Sequence, residues 1–167
     1  MMTKIRIGWL AAATAAVLAA GAGIYFFTTL GSGEDDFPAA VRTDLAITAR
    51  DTVERIAVPN LGPAGEQRAC SVWVVGADPP TLTAAAQARA VYVWAMCAYG
   101  GDVPSSSLLP VAVHLTDPPT AEAPGDGALY GPEIERIFPE RLRDAILDDN
   151  HAATLQPEMN DRVRERS

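Results

Sequence analysis

The chain has 167 residues, 13 of them basic and 21 acidic, for a formal charge of −8. Lys4 and Arg6 lie before residue 30 and every acidic residue lies after it, so the remainder carries a formal charge of −10. That balance excludes a nucleic-acid face, which needs a basic patch. It also disfavours adhesion of the same region to anionic lipid headgroups.

The first element in chain order is an apolar run. Ile7 to Leu30 holds no charged residue. As a helix its 24 residues reach roughly 36 Å, enough to cross a hydrocarbon core of about 30 Å with some tilt. Trp9 and Tyr25 sit near its ends, where aromatic residues favour the interface. Lys4 and Arg6 precede it, and Glu34, Asp35 and Asp36 follow it. The positive-inside bias therefore predicts a cytoplasmic N-terminus and an extracytoplasmic C-terminal part. Residues 1–30 are read as a cytoplasmic tip and signal-anchor helix, with the lipid bilayer as the partner of residues 7–30. A cleaved signal peptide is the rival reading. The continued apolar run through Ile24, Tyr25, Phe26 and Phe27 argues against cleavage.

Residues 31–37 are polar and Gly-containing and read as a flexible tether. Residues 38–149 hold the folded part. Asp36 and Pro38 resemble a helix start, and Val41, Leu45, Ala49, Val53 and Ile56 recur at helical spacing. A helix is expected from about Pro38 to Ala57, either continuous or broken near Thr48. Pro59, Gly62, Pro63 and Gly65 end it.

Cys70 to Gly76 is rich in strand formers, as is Ala90 to Ala98. Between them, Leu82 to Arg89 has short-helix character. An antiparallel register in which paired numbers sum to 167 places Cys70 opposite Cys97, Val72 opposite Ala95, and Val74 opposite Val93. On the other face it places Trp73 opposite Trp94 and Val75 opposite Tyr92. One face then carries a disulfide-compatible pair and the other an aromatic cluster, Trp73, Tyr92 and Trp94. A single helix over residues 81–99 is the rival, because a fully apolar run suits either state. Cys70 and Cys97 are expected to form a disulfide, which suits an oxidising compartment. With two cysteines, two histidines and no Cys-x-x-Cys, zinc binding is disfavoured, and no cofactor is called for. Free buried thiols are the alternative state of the pair.

Asp102 to Ser107 reads as a polar loop. Leu109, Val111, Val113 and Leu115 then alternate with Pro110, Ala112, His114 and Thr116 as a third strand, with Pro110 at an edge or a strand start. His114, with Asp102 or Asp117, is a weak candidate for proton transfer, and a surface histidine is the plainer reading. Residues 118–127 form a Pro/Gly-rich loop. Short helices are expected from Pro132 to Phe138 and from Pro139 to Asp148, interrupted by Pro139. Residues 150–167 turn polar and read as a tail that frays or ends in a helix.

This order predicts an α+β fold: an N-terminal transmembrane helix, then a small extracytoplasmic domain with an antiparallel sheet of about three strands and helices packed on one face. Residue usage, with abundant Ala, Gly, Pro, Asp and Arg and scarce Lys, suits a GC-rich bacterial genome. The expected function is a single-pass bacterial membrane protein whose outer domain is a non-catalytic interaction module for an envelope protein partner. An envelope ligand carrier with an apolar pocket, and a hydrolase using His114, are the alternatives.

Overall fold

Residues with high strand preference dominate the middle of the chain, and there they build an antiparallel sheet. The computed structural model describes residues 33–65, 68–100, 105–148 and 150–166. The expected membrane segment, residues 7–30, lies outside the described residues. Among the described residues no helix is long and apolar enough to cross a membrane.

The described residues are α+β and form one compact unit. Helix α1, Ala39–Arg55, opens it. Strands β1, Ala69–Asp78, and β2, Ala90–Tyr99, follow, then β3, Ser105–His114, and β4, Thr120–Glu122. Three helices close the chain: α2, Tyr130–Ile137, α3, Glu140–Asp148, and α4, Ala152–Arg166. The sheet has four strands in the order β1-β2-β3-β4, and every pair is antiparallel. Each strand lies beside its sequence neighbour, the meander that direct antiparallel reversals produce.

The predicted register holds for Cys70↔Cys97, Val72↔Ala95, Trp73↔Trp94 and Val74↔Val93. It fails one residue later. A bulge between Val74 and Gly76 places Gly76, not Val75, opposite Tyr92. An extra residue in one strand of a ladder produces such a slip. Cys70 and Cys97 form the predicted disulfide. The 81–99 helix is not what forms, since Ala90–Tyr99 is a strand and only Ala85–Gln87 makes a 3₁₀ turn before it.

The sheet is buried on both faces. On one face Cys70, Val72, Val74, Val91, Val93, Val111 and Val113 pack with the α1 stripe Val41, Leu45, Ala49 and Val53. On the other, Val75, Tyr92, Trp94, Met96 and Ala112 pack with Ile134, Phe138, Leu142, Ile146, Leu155 and Met159 of the C-terminal helices. The expectation of helices on one face is therefore corrected: the sheet lies between two helical layers. Burial from both sides explains why β2 has no polar face.

Four local readings also change. Ser105, Ser106 and Ser107, read as loop, begin β3. Residues 120–122, inside the expected Pro/Gly loop, form β4. The expected frayed tail is α4, anchored by buried Leu155 and Met159. The stretch Gly33 to Phe37, read as tether, is fastened to the domain: Phe37 is buried in the core. Asp35 N–H donates to the Val75 carbonyl at 2.9 Å. Gly76 permits that approach, because a Cβ there would stand 2.6 Å from both the Asp35 carboxylate and Leu142.

The end of α1 is closed by an arginine. Arg68 has no exposed surface. It donates to the carbonyls of Val53 at 2.7 Å, Ile56 at 3.0 Å and Pro63 at 2.9 Å, and also to Gly62. Helix C-terminal carbonyls lack partners within the helix, and one guanidinium fork here serves the last turn and the loop after it. Replacing Arg68 with Met leaves those buried acceptors without donors. Arg68→Met is expected to lower unfolding free energy by roughly 3 kcal/mol in urea titration with an unchanged m-value. A loss below about 0.5 kcal/mol, the scale of a surface substitution, would contradict this role.

Candidate interaction surface

The edges of a sheet present unpaired backbone N–H and C=O groups, so their treatment decides what the sheet can bind. The alternation of the ladder settles which groups point outward. Cys70 N–H donates to Glu54 at 2.9 Å, away from β2. Cys70, Val72 and Val74 are thus the non-hydrogen-bonded pairs with β2, and their backbone groups face outward. The Cys70–Cys97 Cα separation of 4.1 Å fits that phase.

The β1 edge is sealed by side chains at both ends. Glu54 accepts from Cys70 N–H, from Arg162 at 2.8 Å and from Arg166 at 2.7 Å. Burial pushes the Glu54 carboxyl up, but these donors together outweigh it and hold the group below its ordinary value. At the other end Arg42 donates to the Val74 and Asp35 carbonyls. The Asp35 carboxylate accepts from Ala77 N–H at 3.0 Å and takes both ends of Arg141 at 3.0 Å. Between the seals, Val72 and Trp73 floor a groove of about 550 Å³ that α1 and Glu158 border.

The three aromatic candidates are brought to one face of the sheet but not to one cavity. Trp73 stacks on His151 with ring centres 4.5 Å apart and donates to Glu34 at 2.9 Å. His151 Nε2 lies 3.2 Å from the same Glu34. Tyr92 meets Phe138 edge-on at 6.0 Å. Burial raises its pKa. Trp94 lines a separate hollow of about 290 Å³ with Tyr130, Ile146, Leu147, Asp148 and Asn150. Trp73 and Trp94 are cross-strand partners on the face of the C-terminal helices, but Trp73 lies at the β1 edge against Glu34 and His151 while Trp94 lies in the sheet interior.

His114 is placed beside a carboxylate that the sequence reading did not select. Its Nε2 lies 3.3 Å from Glu122 of β4, and Glu122 also binds Arg136 at 2.7 Å. The Arg136 bond is the main cause that lowers the Glu122 pKa. Asp117 is not joined to His114, and Asp102 lies outside the described residues. The arrangement is a partly exposed chain of polar contacts between β3, β4 and α2.

The far edge is treated differently. Leu115 N–H donates to the Arg89 carbonyl, which fixes the phase of β3 against β2. Ser105, Ser107 and Leu109 consequently bond to β2, whereas Ser106, Leu108 and Pro110 face outward. Pro110 has no N–H and occupies an outward position without loss, in agreement with its reading as an edge residue. β4 pairs only with Ala112, Val113 and His114. From Ser105 to Leu109 the edge has no strand or side-chain seal among the described residues. Ser105 and Ser106 are exposed, and Ser107, Leu108 and Leu109 are half-buried. Sequence reasoning missed this stretch, because three serines suggest a loop.

Comparison with known proteins finds no match: no family model, no curated protein and no solved structure is similar to the chain.

The Glu54 cluster carries a pH dependence with a definite sign. A carboxyl held below its unfolded value contributes stability that is present above that unfolded value and is lost as pH falls through the folded one. Acid titration of unfolding free energy is therefore expected to show a decline that begins at the ordinary carboxylate range and continues below it. Glu54→Gln is expected to flatten that decline, and a variant with the wild-type acid slope would show that the cluster does not supply it.

Proposed function

We propose that this chain is a single-pass bacterial envelope protein, N-terminus cytoplasmic, whose extracytoplasmic domain is a non-catalytic interaction module. The observation that carries the reading is the filled core. Both faces of the sheet are covered by helices, and Trp73 and Trp94 open onto separate concavities. A carrier pocket would bring these rings around one enclosed space. His114, the residue an enzyme reading relies on, is tied to Glu122 and through it to Arg136. What remains for binding is surface, and the unsealed part of the β3 edge is its most directional component.

The address rests on residues 7–30, with Lys4 and Arg6 before them and an acidic region after. The Cys70–Cys97 disulfide supports an oxidising compartment for the domain.

Two measurements test this. Because both cysteines are buried, thiols are trapped by alkylation in acid-quenched, denatured cells, and neither cysteine is expected to label until a reductant is added. Free thiols before reduction would contradict the proposed orientation. Affinity capture of the intact chain from its native membrane after crosslinking is expected to recover one stoichiometric envelope protein. Recovery of the chain alone, together with turnover of a small-molecule substrate abolished by His114→Ala, would replace the module by an enzyme.

A further inference from the structure

The two edges of one sheet differ in how they are closed, and the difference has chemical content. The β1 edge is blocked by Glu54, Arg42 and Asp35 with its arginine partner. The β3 edge from Ser105 to Leu109 carries no charged residue, and among the described residues its only blunting device is Pro110 at one end. Natural sheets usually guard such an edge with charge, a bulge or a covering element. Here the covering strand β4 stops after three residues.

We propose that Ser105–Leu109 is a strand-addition site for an extended segment of a partner protein, uncharged in its middle and basic at its flanks. The inference rests on the interaction-module reading and names the surface and the partner chemistry. The outward N–H and C=O groups of Ser106 and Leu108, with the Pro110 carbonyl, offer a ladder of alternating donors and acceptors. An added strand takes these bonds, and its side chains fall alternately on the two faces of the sheet. Leu109 flanks the core that α1 covers, and Leu108 flanks the core under the C-terminal helices. Each is half-buried, so apolar side chains at the two adjoining positions of the partner complete the burial of both leucines. Beside Ser106 and Ser107 small or polar residues fit. Charge selects among occupants. The region past residue 30 has a formal charge of −10, so a second copy of this chain is repelled and a basic-flanked segment is attracted.

The test uses the full-length chain in lipid nanodiscs and two synthetic peptides. One is Thr-Val-Val-Thr-Thr with two lysines at each end, which sets adjoining valines beside Leu109 and Leu108 and threonines beside Ser107 and Ser106, and the other has the same middle with two glutamates at each end. Residue-resolved amide exchange is followed at up to about 1 mM peptide, the range of weak strand-addition contacts. The lysine-flanked peptide is expected to slow exchange at Ser106 and Leu108 by about tenfold and leave the β1 edge unchanged. Ser106→Pro and Leu108→Pro, made singly, each remove one outward donor that β2 does not use, so Ser107 and Leu109 stay protected while the peptide no longer slows exchange at the outward amide that remains, Leu108 in the first variant and Ser106 in the second. No protection of Ser106 and Leu108 at the highest peptide concentration overturns the site. Equal binding of the glutamate-flanked peptide overturns the partner chemistry. Protection that rises with protein concentration without peptide assigns the edge to a second copy and also overturns the proposal. A partner captured from native membranes equally well by wild type and each proline variant leaves the module reading standing and removes this edge from it.

Discussion

The registration of β1 against β2 is the constraint on which the rest of the domain depends. A strand shifted by one residue turns every side chain to the opposite face. Cys70 and Cys97 lock the phase at a non-hydrogen-bonded pair, where side chains of facing strands come closest. Once that phase is set, Val72, Val74, Val93 and Ala95 must face α1, and Trp73, Trp94 and Met96 must face the C-terminal helices. The same phase determines which backbone groups of β3 are left for the outside, because each β2 residue bonds to one neighbour only.

Covering both faces of a small sheet has a second effect. It removes the sheet faces from contact with anything else and leaves edges, helix surfaces and loops for recognition. On the β1 side the chain uses its own entry segment and α4 as a closure. Glu34, Asp35 and His151 converge there with Trp73, Arg42 and Arg141. This junction ties the start of the domain to its last helices. It also gives the segment that follows the proposed anchor a fixed exit from the domain at Gly33 to Phe37. On the β3 side there is no such closure among the described residues, which is why the edge there has binding potential and the other has little.

Much of this was legible in the sequence where side-chain type and local period agree. The α1 stripe, the cystine and the Trp73–Trp94 pairing follow from spacing alone. What escaped has identifiable causes. The bulge at Val75 lies where Asp35 of the chain entry and Arg42 of α1 bond to the strand, tertiary contacts that no local pattern encodes. Helix α4 was hidden by Pro157 and by a dense run of charge. Its stripe of Leu155, Met159 and Val163 was nonetheless present at a spacing of four, and Leu155 and Met159 are buried. Ser105 to Ser107 looked like loop because the strand there is held by backbone pairing at the sheet margin, where polar residues are tolerated. Helices on both faces could be inferred from the apolar character of β2, since a strand with no polar face needs cover on both. Glu122 was passed over as the partner of His114 because β4 is only three residues long and lies in a Pro/Gly-rich stretch.

The phase of the meander decides which edge groups are open, and amide hydrogen exchange along β3 measures it directly. Ser105, Ser107 and Leu109 are expected to exchange slowly because their N–H groups bond to β2. Ser106 and Leu108 are expected to exchange at rates near those of open chain. In β1, Ser71 and Trp73 should be protected by β2, and Cys70 by Glu54. Uniform protection along Ser105–Leu109, or slow exchange at Ser106 and Leu108 with fast exchange at Ser107, would contradict the register and the open edge that follows from it.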